Sequence, residues 1–178
     1  INAQEGFFDV ESVWPKLEQA LRQAISNLVA MRETEGSNIY GDFIKRADLI
    51  AEKLAVIEER SPQVVEEYQT RLSDRINELL EKQNQVIEPE RLLQEVAIFA
   101  DRTSITEEIV RLKSHIKQFK LIIDADQPVG RKLDFLIQEF NREANTIASK
   151  ANDYTLAQVV VEIKAEIEKI REQIQNIE

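Results

Sequence analysis

Apolar residues recur along this chain in steps of three and four, the spacing that lines up one face of an α-helix. Leu17, Leu21, Ala24, Leu28 and Met31 form one stripe, and Phe43, Ala47, Ile50, Leu54 and Ile57 form a second. Together they predict one long helix, interrupted or kinked near Gly36 and Gly41. Pro15 suits its first turn, where a missing N–H forfeits no hydrogen bond. Ser61-Pro62 supplies a cap and a first helical position, so the spacing predicts a new helix there, with Val65, Leu72, Ile76 and Leu79 as its stripe and Tyr68 at the edge. Glu88-Pro89 opens a shorter helix through Phe99 and Ala100. Ser104 with Glu107 makes a capping-box pattern ahead of Ile105, Ile109, Leu112, Ile116, Phe119 and Ile123. A loop from Asp124 to Gly130 separates these from Leu133, Ile137, Phe140, Ala144, Ile147 and Ala151. Asn152-Asp153 provides a turn, and Leu156, Val160, Ile163, Ile167, Ile170, Ile174 and Ile177 then form a heptad seam.

Each stripe is too narrow to stabilise an isolated helix and must bury against a neighbour. Short connections make sequential helices antiparallel. The expected fold is therefore all-α, an antiparallel helical bundle with long coiled-coil-like helices. The last two helices form a hairpin, with Ala144, Ala148 and Ala151 permitting close approach. Phe135 lies outside its helix's seam and is expected to touch a third helix or another chain. The reading divides the chain into a long-helix extension or oligomerisation region, residues 1–100, and a C-terminal helical domain, residues 101–178.

Composition narrows the class. Hydrophobic residues make up 43% and charged residues 31%, which suits a folded helical chain better than a disordered one. Four glycines and four prolines leave little turn chemistry for a β-rich fold. The absence of cysteine excludes disulfides and thiolate metal sites. The start, INAQEGFFDV, lacks the basic and apolar regions of a signal peptide, and no apolar run approaches membrane-spanning length. The expectation is a cytoplasmic chain without membrane contact. Its first residue is not Met, which suggests a processed or cloned fragment. The formal net charge of -10 argues against a general nucleic-acid coat. Residues 111–150 run the other way, with 8 basic and 5 acidic side chains and the single histidine, His115. An anionic partner should meet that stretch.

No Walker loop, GxGxxG, HExxH or GxSxG motif occurs. What remains is carboxylate chemistry with a hard divalent metal, and recognition of phosphate by Arg, Lys and His. Two constellations stand out. Glu108, Arg111 and His115 share one helical face, where a His beside Arg and Glu can bind phosphate or move protons. An ordinary surface ion pair with a nearby His explains the same spacing and is the commoner arrangement. The second is the outer face of residues 130–150, which is rich in Asn, Thr and Ser, mediocre helix formers whose density needs a reason. Glu139 and Glu143, one turn apart, could share a divalent metal, and Arg131, Arg142 and Lys150 could hold phosphates. A buried polar network that fixes helix register accounts for these residues equally well.

The blocks VGRKLDFLIQEFNREANTIASKAND and VVEIKAEIEKIREQIQNIE closely resemble the carboxyl-terminal region of the bacterial YicC family. EVAIFADRTSITEEIVRLKSHIKQF resembles the segment before it, and VWPKLEQALRQAISNLVAMRETEG the start of the family's helical half. The resemblance implies the helical portion of such a protein, ending at its natural carboxyl terminus and without the family's strand-rich amino-terminal domain. It also implies a stress-associated cytoplasmic endoribonuclease acting on RNA, with divalent-metal dependence (Mg or Mn) and a homo-oligomeric, hexameric assembly. The resemblance makes the polar face of residues 130–150 and the Glu108, Arg111 and His115 trio a candidate RNA-cleaving surface; within it, side-chain chemistry assigns the metal to Asp134, Glu139 and Glu143, the RNA backbone to Arg111, Arg131, Arg142 and Lys150, and acid or base work to His115. Glu162, Lys164, Glu168, Arg171 and Glu172 are the matching polar positions of the last helix. A metal-independent rival has His115 and Arg111 assist attack by the RNA 2′-hydroxyl. The alternative from another class is a structural oligomerisation or RNA-interaction module without catalytic groups, which the outward Phe135 favours.

Overall fold

The computed structural model describes residues 10–81, 89–125, 127–175 and 177. Glu88, part of the expected helix start, lies outside them, as does the side chain of Leu79. Among the described residues the regular structure is all helix: α1 (Val10–Glu81), α2 (Pro89–Thr103), α3 (Thr106–Ile123), α4 (Gly130–Lys150) and α5 (Tyr154–Ile174).

By compactness the chain divides into residues 1–42 and residues 43–178. In the first unit α1 runs unbroken through Gly36 and Gly41, and nothing lies within 4 Å of a side chain added at either. Trp14, Leu17, Leu21, Ile25, Leu28 and Met31 are all about half exposed.

In the second unit the expected break at Ser61-Pro62 is absent, and α1 continues to Glu81. An interior proline costs roughly 3 kcal/mol through its lost hydrogen bond and ring clash. Ile57 and Val64 flank it and are both buried, and each such side chain is worth about 1.5–3 kcal/mol. Keeping both on the bundle offsets the proline. The seam therefore passes from Ile57 to Val64, one heptad on, and Val65 is only half-buried.

Residues 43–64, assigned from the sequence to an extension, pack into the bundle with the C-terminal helices. Phe43, Ala47, Ile50, Leu54 and Ile57 are at most 1% exposed. The Phe43 and Phe119 rings meet edge-on at 5.5 Å, and Phe119 meets Phe140 at 5.9 Å. Ion pairs between helices run in reverse order. Arg46 pairs with Glu166, Lys53 with Glu162 and Arg60 with Asp153, so α1 is antiparallel to α5. Asp48 pairs with Lys120 and Glu58 with Lys113, so α1 is antiparallel to α3 as well. α4 packs on α3 and α5 through short loops. The result is an antiparallel bundle, with α2 joined to α1 by a stack of Tyr68 on Phe99 at 3.7 Å.

Two helix starts separate local chemistry from burial. Asp153 caps α5, its carboxylate accepting from the Leu156 N–H at 2.9 Å. The expected Ser104 capping box does not form. The cap residue of α3 is Ile105, which makes no side-chain cap bond and is 1% exposed, so core packing sets that helix start. Of the small residues expected between α4 and α5, Ala144 is buried, Ala151 half-buried and Ala148 exposed.

Candidate functional site

The α3–α4 pair is apolar along its seam except at two buried acids, Glu108 on α3 and Glu143 on α4. A carboxylate inside a helix seam costs free energy unless something answers its charge. Glu108 is answered at one oxygen, because Lys150 Nζ donates to its Oε1 at 2.8 Å, while its Oε2 is buried without a hydrogen-bond partner. Burial pushes the Glu108 carboxyl up, but the Lys150 bond, a backbone bond and nearby Arg111 outweigh it and hold it below the usual range. Glu143 is answered less well. Arg111 Nη1 stands 3.7 Å from its Oε1, beyond hydrogen-bond distance, and the same guanidinium also binds Glu107.

Glu143 does not stand alone. Glu139 lies one turn earlier on α4, and His115 faces both from α3. One ligand atom from each of the three can be chosen so that all lie within 4.8 Å of one another. The His115 ring is stacked beside Phe140 at 6.4 Å, and its Nδ1 is buried without a hydrogen-bond partner. Arg142 stands 3.8 Å from Glu139 on the solvent side. An imidazole and two carboxylates, one deeply buried, thus converge from two helices, with arginines at the rim.

A groove of about 410 Å³ opens beside this cluster, lined by His115, Gln118, Ile122, Arg131, Lys132, Phe135, Leu136 and Glu139. Arg131 of the predicted set is here, about two turns before Glu139 on α4. Lys150 is not, since it is engaged with Glu108 at the other end of α4. Asp134 is also outside the cluster, accepting a bond from Gln138 at the surface. Five residues separate it from Glu139, which turns it about 140° around the helix. His115 takes the third place that the sequence reading gave to Asp134. On α5, Glu162 pairs with Lys53 and Glu168 with Arg171, while Lys164 and Glu172 are exposed. Lys132 and Gln118 escaped the sequence reading. A signal existed for Lys132, which sits beside Arg131 in a first helical turn that carries no acid.

Residues 57–178 match the family described as Endoribonuclease YicC-like, C-terminal. The chain belongs to this family. His115, Glu139, Glu143 and the groove all fall within the matched residues. Over its full length the chain is 50% identical to the Probable endoribonuclease YicC of Clostridioides difficile (strain 630). It is 35% identical to the protein of the same name from Haemophilus influenzae (strain ATCC 51907 / DSM 11121 / KW20 / Rd). In both cases all of the chain aligns and covers 60% of the YicC relative, so the chain spans three fifths of their length. No described helix is long and apolar enough to cross a membrane.

Proposed function

We propose that this chain is the helical portion of an endoribonuclease, and that the α3–α4 face around His115, Glu139 and Glu143 cleaves RNA phosphodiesters. One observation carries the reading: three groups able to share one cation converge within 4.8 Å on two helices of a YicC-like chain. Both relatives carry the name Probable endoribonuclease YicC, at a length greater than this chain's. The proposal extends to RNA turnover under stress, a cytoplasmic setting and a hexameric full-length assembly.

The residues fit a divalent cation. Glu143 is 3% exposed and has no close cationic hydrogen bond, and His115 Nδ1 is a buried atom without a partner. Both deficits are what a bound cation repairs. The donor set of one imidazole nitrogen and two carboxylate oxygens suits manganese better than magnesium, which prefers oxygen alone. When bound, the ion supplies charge stabilisation at a phosphate oxygen and a more acidic water. Glu139 and Glu143 hold that charge in place. His115 would complete the ligand set through its unpartnered Nδ1; in the metal-independent route, where that nitrogen holds no ion, His115 would instead take or give a proton at the scissile oxygen. Arg142 at the rim and Arg131 in the groove orient the flanking phosphates, and Arg111 steadies Glu143.

The test is cleavage of a labelled structured RNA by the full-length protein with magnesium, manganese or EDTA, beside the Glu139→Gln/Glu143→Gln double variant. Metal-dependent cleavage that the folded variant lacks is the expected result. Cleavage indifferent to EDTA refutes the metal and moves the chemistry to His115, Arg111 and the RNA 2′-hydroxyl.

The half-exposed apolar stripe from Trp14 to Met31 favours a second role for the amino-terminal part of α1, in self-association. Leu21→Glu/Leu28→Glu should lower the oligomer mass in sedimentation, and an unchanged mass rejects that role.

A further inference from the structure

The groove beside His115 combines features that a catalytic cluster alone does not require. Phe135 is 65% exposed although it lines the groove together with the apolar Ile122 and Leu136. Arg131, Phe135 and Glu139 succeed one another at four-residue spacing, so they form a row along one face of α4, each about 6 Å further along the axis than the last.

The first turn of α4 is built against the usual preference of helices. The positive end of a helix dipole favours acids, yet this turn has none and carries Arg131 and Lys132. Among the described residues neither forms an ion pair. Two unanswered cations at a positive helix end unfavourable to them form an anion-seeking rim. An anion at one end of the row and an exposed aromatic in the middle match a nucleotide's phosphate and its base.

We infer that this groove is a subsite for single-stranded RNA, in which one unpaired nucleobase stacks on Phe135 while Arg131 and Lys132 hold its phosphate. The inference rests on the RNA-cleaving reading above and adds the form of the substrate. Glu139 is the next residue of the row, so the stacked nucleotide is a neighbour of the phosphodiester presented to His115, Glu139 and Glu143. A paired base cannot offer its face to Phe135, so a stem would have to open at this point. A second protein copy is the less suitable occupant, because covering the groove would desolvate Arg131 and Lys132 without a phosphate to answer them.

The experiment measures binding in EDTA, by fluorescence anisotropy, with the full-length protein and three labelled RNAs: a short single strand, the same strand with abasic residues, and a perfect duplex. Phe135→Ala should weaken the intact single strand roughly ten-fold or more while leaving the abasic strand and duplex unchanged. Phe135→Trp should restore the intact strand. Arg131→Gln/Lys132→Gln should weaken all three and flatten their salt dependence. Equal binding of the intact strand by wild type and Phe135→Ala overturns the stacking role and leaves the nuclease reading standing. Equal loss for intact and abasic strands, with a changed oligomer mass, overturns it in favour of a subunit contact. A wild-type protein that binds none of the RNAs overturns the RNA reading and this subsite with it.

Discussion

Replacing Glu143 by Gln separates a functional carboxylate from a structural one. The side chain is buried, and its charge partner Arg111 stands at 3.7 Å, half exposed and shared with Glu107. At such a distance the attraction is about 4 kcal/mol for an effective dielectric near 20 and about 1 kcal/mol in bulk water. The exposure and sharing of Arg111 place this pair toward the lower figure. Against it stands the penalty for burying a carboxylate, several kcal/mol even after relaxation (order of magnitude). The neutral, isosteric amide removes both terms. In EDTA the variant should therefore be as stable as the wild type or more stable by about 1 kcal/mol, a rise in Tm of up to about 4 °C for a chain of this size. A register-fixing network predicts the opposite, since stripping a carboxylate from committed partners costs about 3 kcal/mol or more and lowers Tm by about 6 °C or more. Circular-dichroism melts in EDTA decide between them. Repeated with manganese at about a hundred times its Kd, the wild type should gain about 2.7 kcal/mol and the variant nothing. A large fall in Tm in EDTA, or an equal manganese response in both proteins, refutes the argument.

Asp134→Asn should leave both metal-dependent cleavage and the manganese response of the melt unchanged, because Asp134 faces away from the cluster; loss of either would return it to the metal set. The acid limb of stability offers a check on the bundle's ion pairs. The Arg60 guanidinium bonded to Asp153, and Lys169 and Arg46 beside Glu166, hold both carboxyls below their ordinary values. Folded values below unfolded ones mean a contribution that is complete above the ordinary carboxylate range, about pH 4, and is lost as pH falls through the folded values. Tm should be level from neutral pH to about pH 5 and then drop, and Asp153→Asn, which can still cap α5, should make that drop shallower. An acid limb as steep in the variant as in the wild type would contradict the assignment.

The bundle was legible because burial follows the helical period so closely. From Phe43 to Ile57 and from Ile105 through Ile174, residues read as seam are residues found buried, apart from Ile123 and Ala151, which are half-buried at helix ends. Two local signals misled, both of them turn chemistry. Ser61-Pro62 and Ser104 each have the residues of a helix start, but caps and prolines shift the balance by only one to three kcal/mol (order of magnitude), and a continuous seam outweighs that. Periodicity is also silent about whether a stripe is covered. Leu17, Leu21, Leu28 and Met31 keep the same spacing as Ile50, Leu54 and Ile57, yet the former are half exposed and the latter fully buried.

The same distinction governs the site. Residues on one helix can be placed together by turn arithmetic, and Glu139 with Glu143 was found that way. A partner on another helix requires the register between the two, which no local pattern contains. In α3 and α4 the register is visible at the Glu108–Lys150 bond. Seven residues on from Glu108 comes His115, and seven back from Lys150 comes Glu143. In an antiparallel pair these steps are two turns in the same direction, so the bond at one end brings imidazole and carboxylate level at the other. A slip of one turn would separate His115 from Glu143 and also leave Glu108 buried without its cation, at a cost of about 3–5 kcal/mol. Lys150, which the sequence suggested as a phosphate ligand, is thus engaged in the bond that fixes the alignment bringing His115 and Glu143 level.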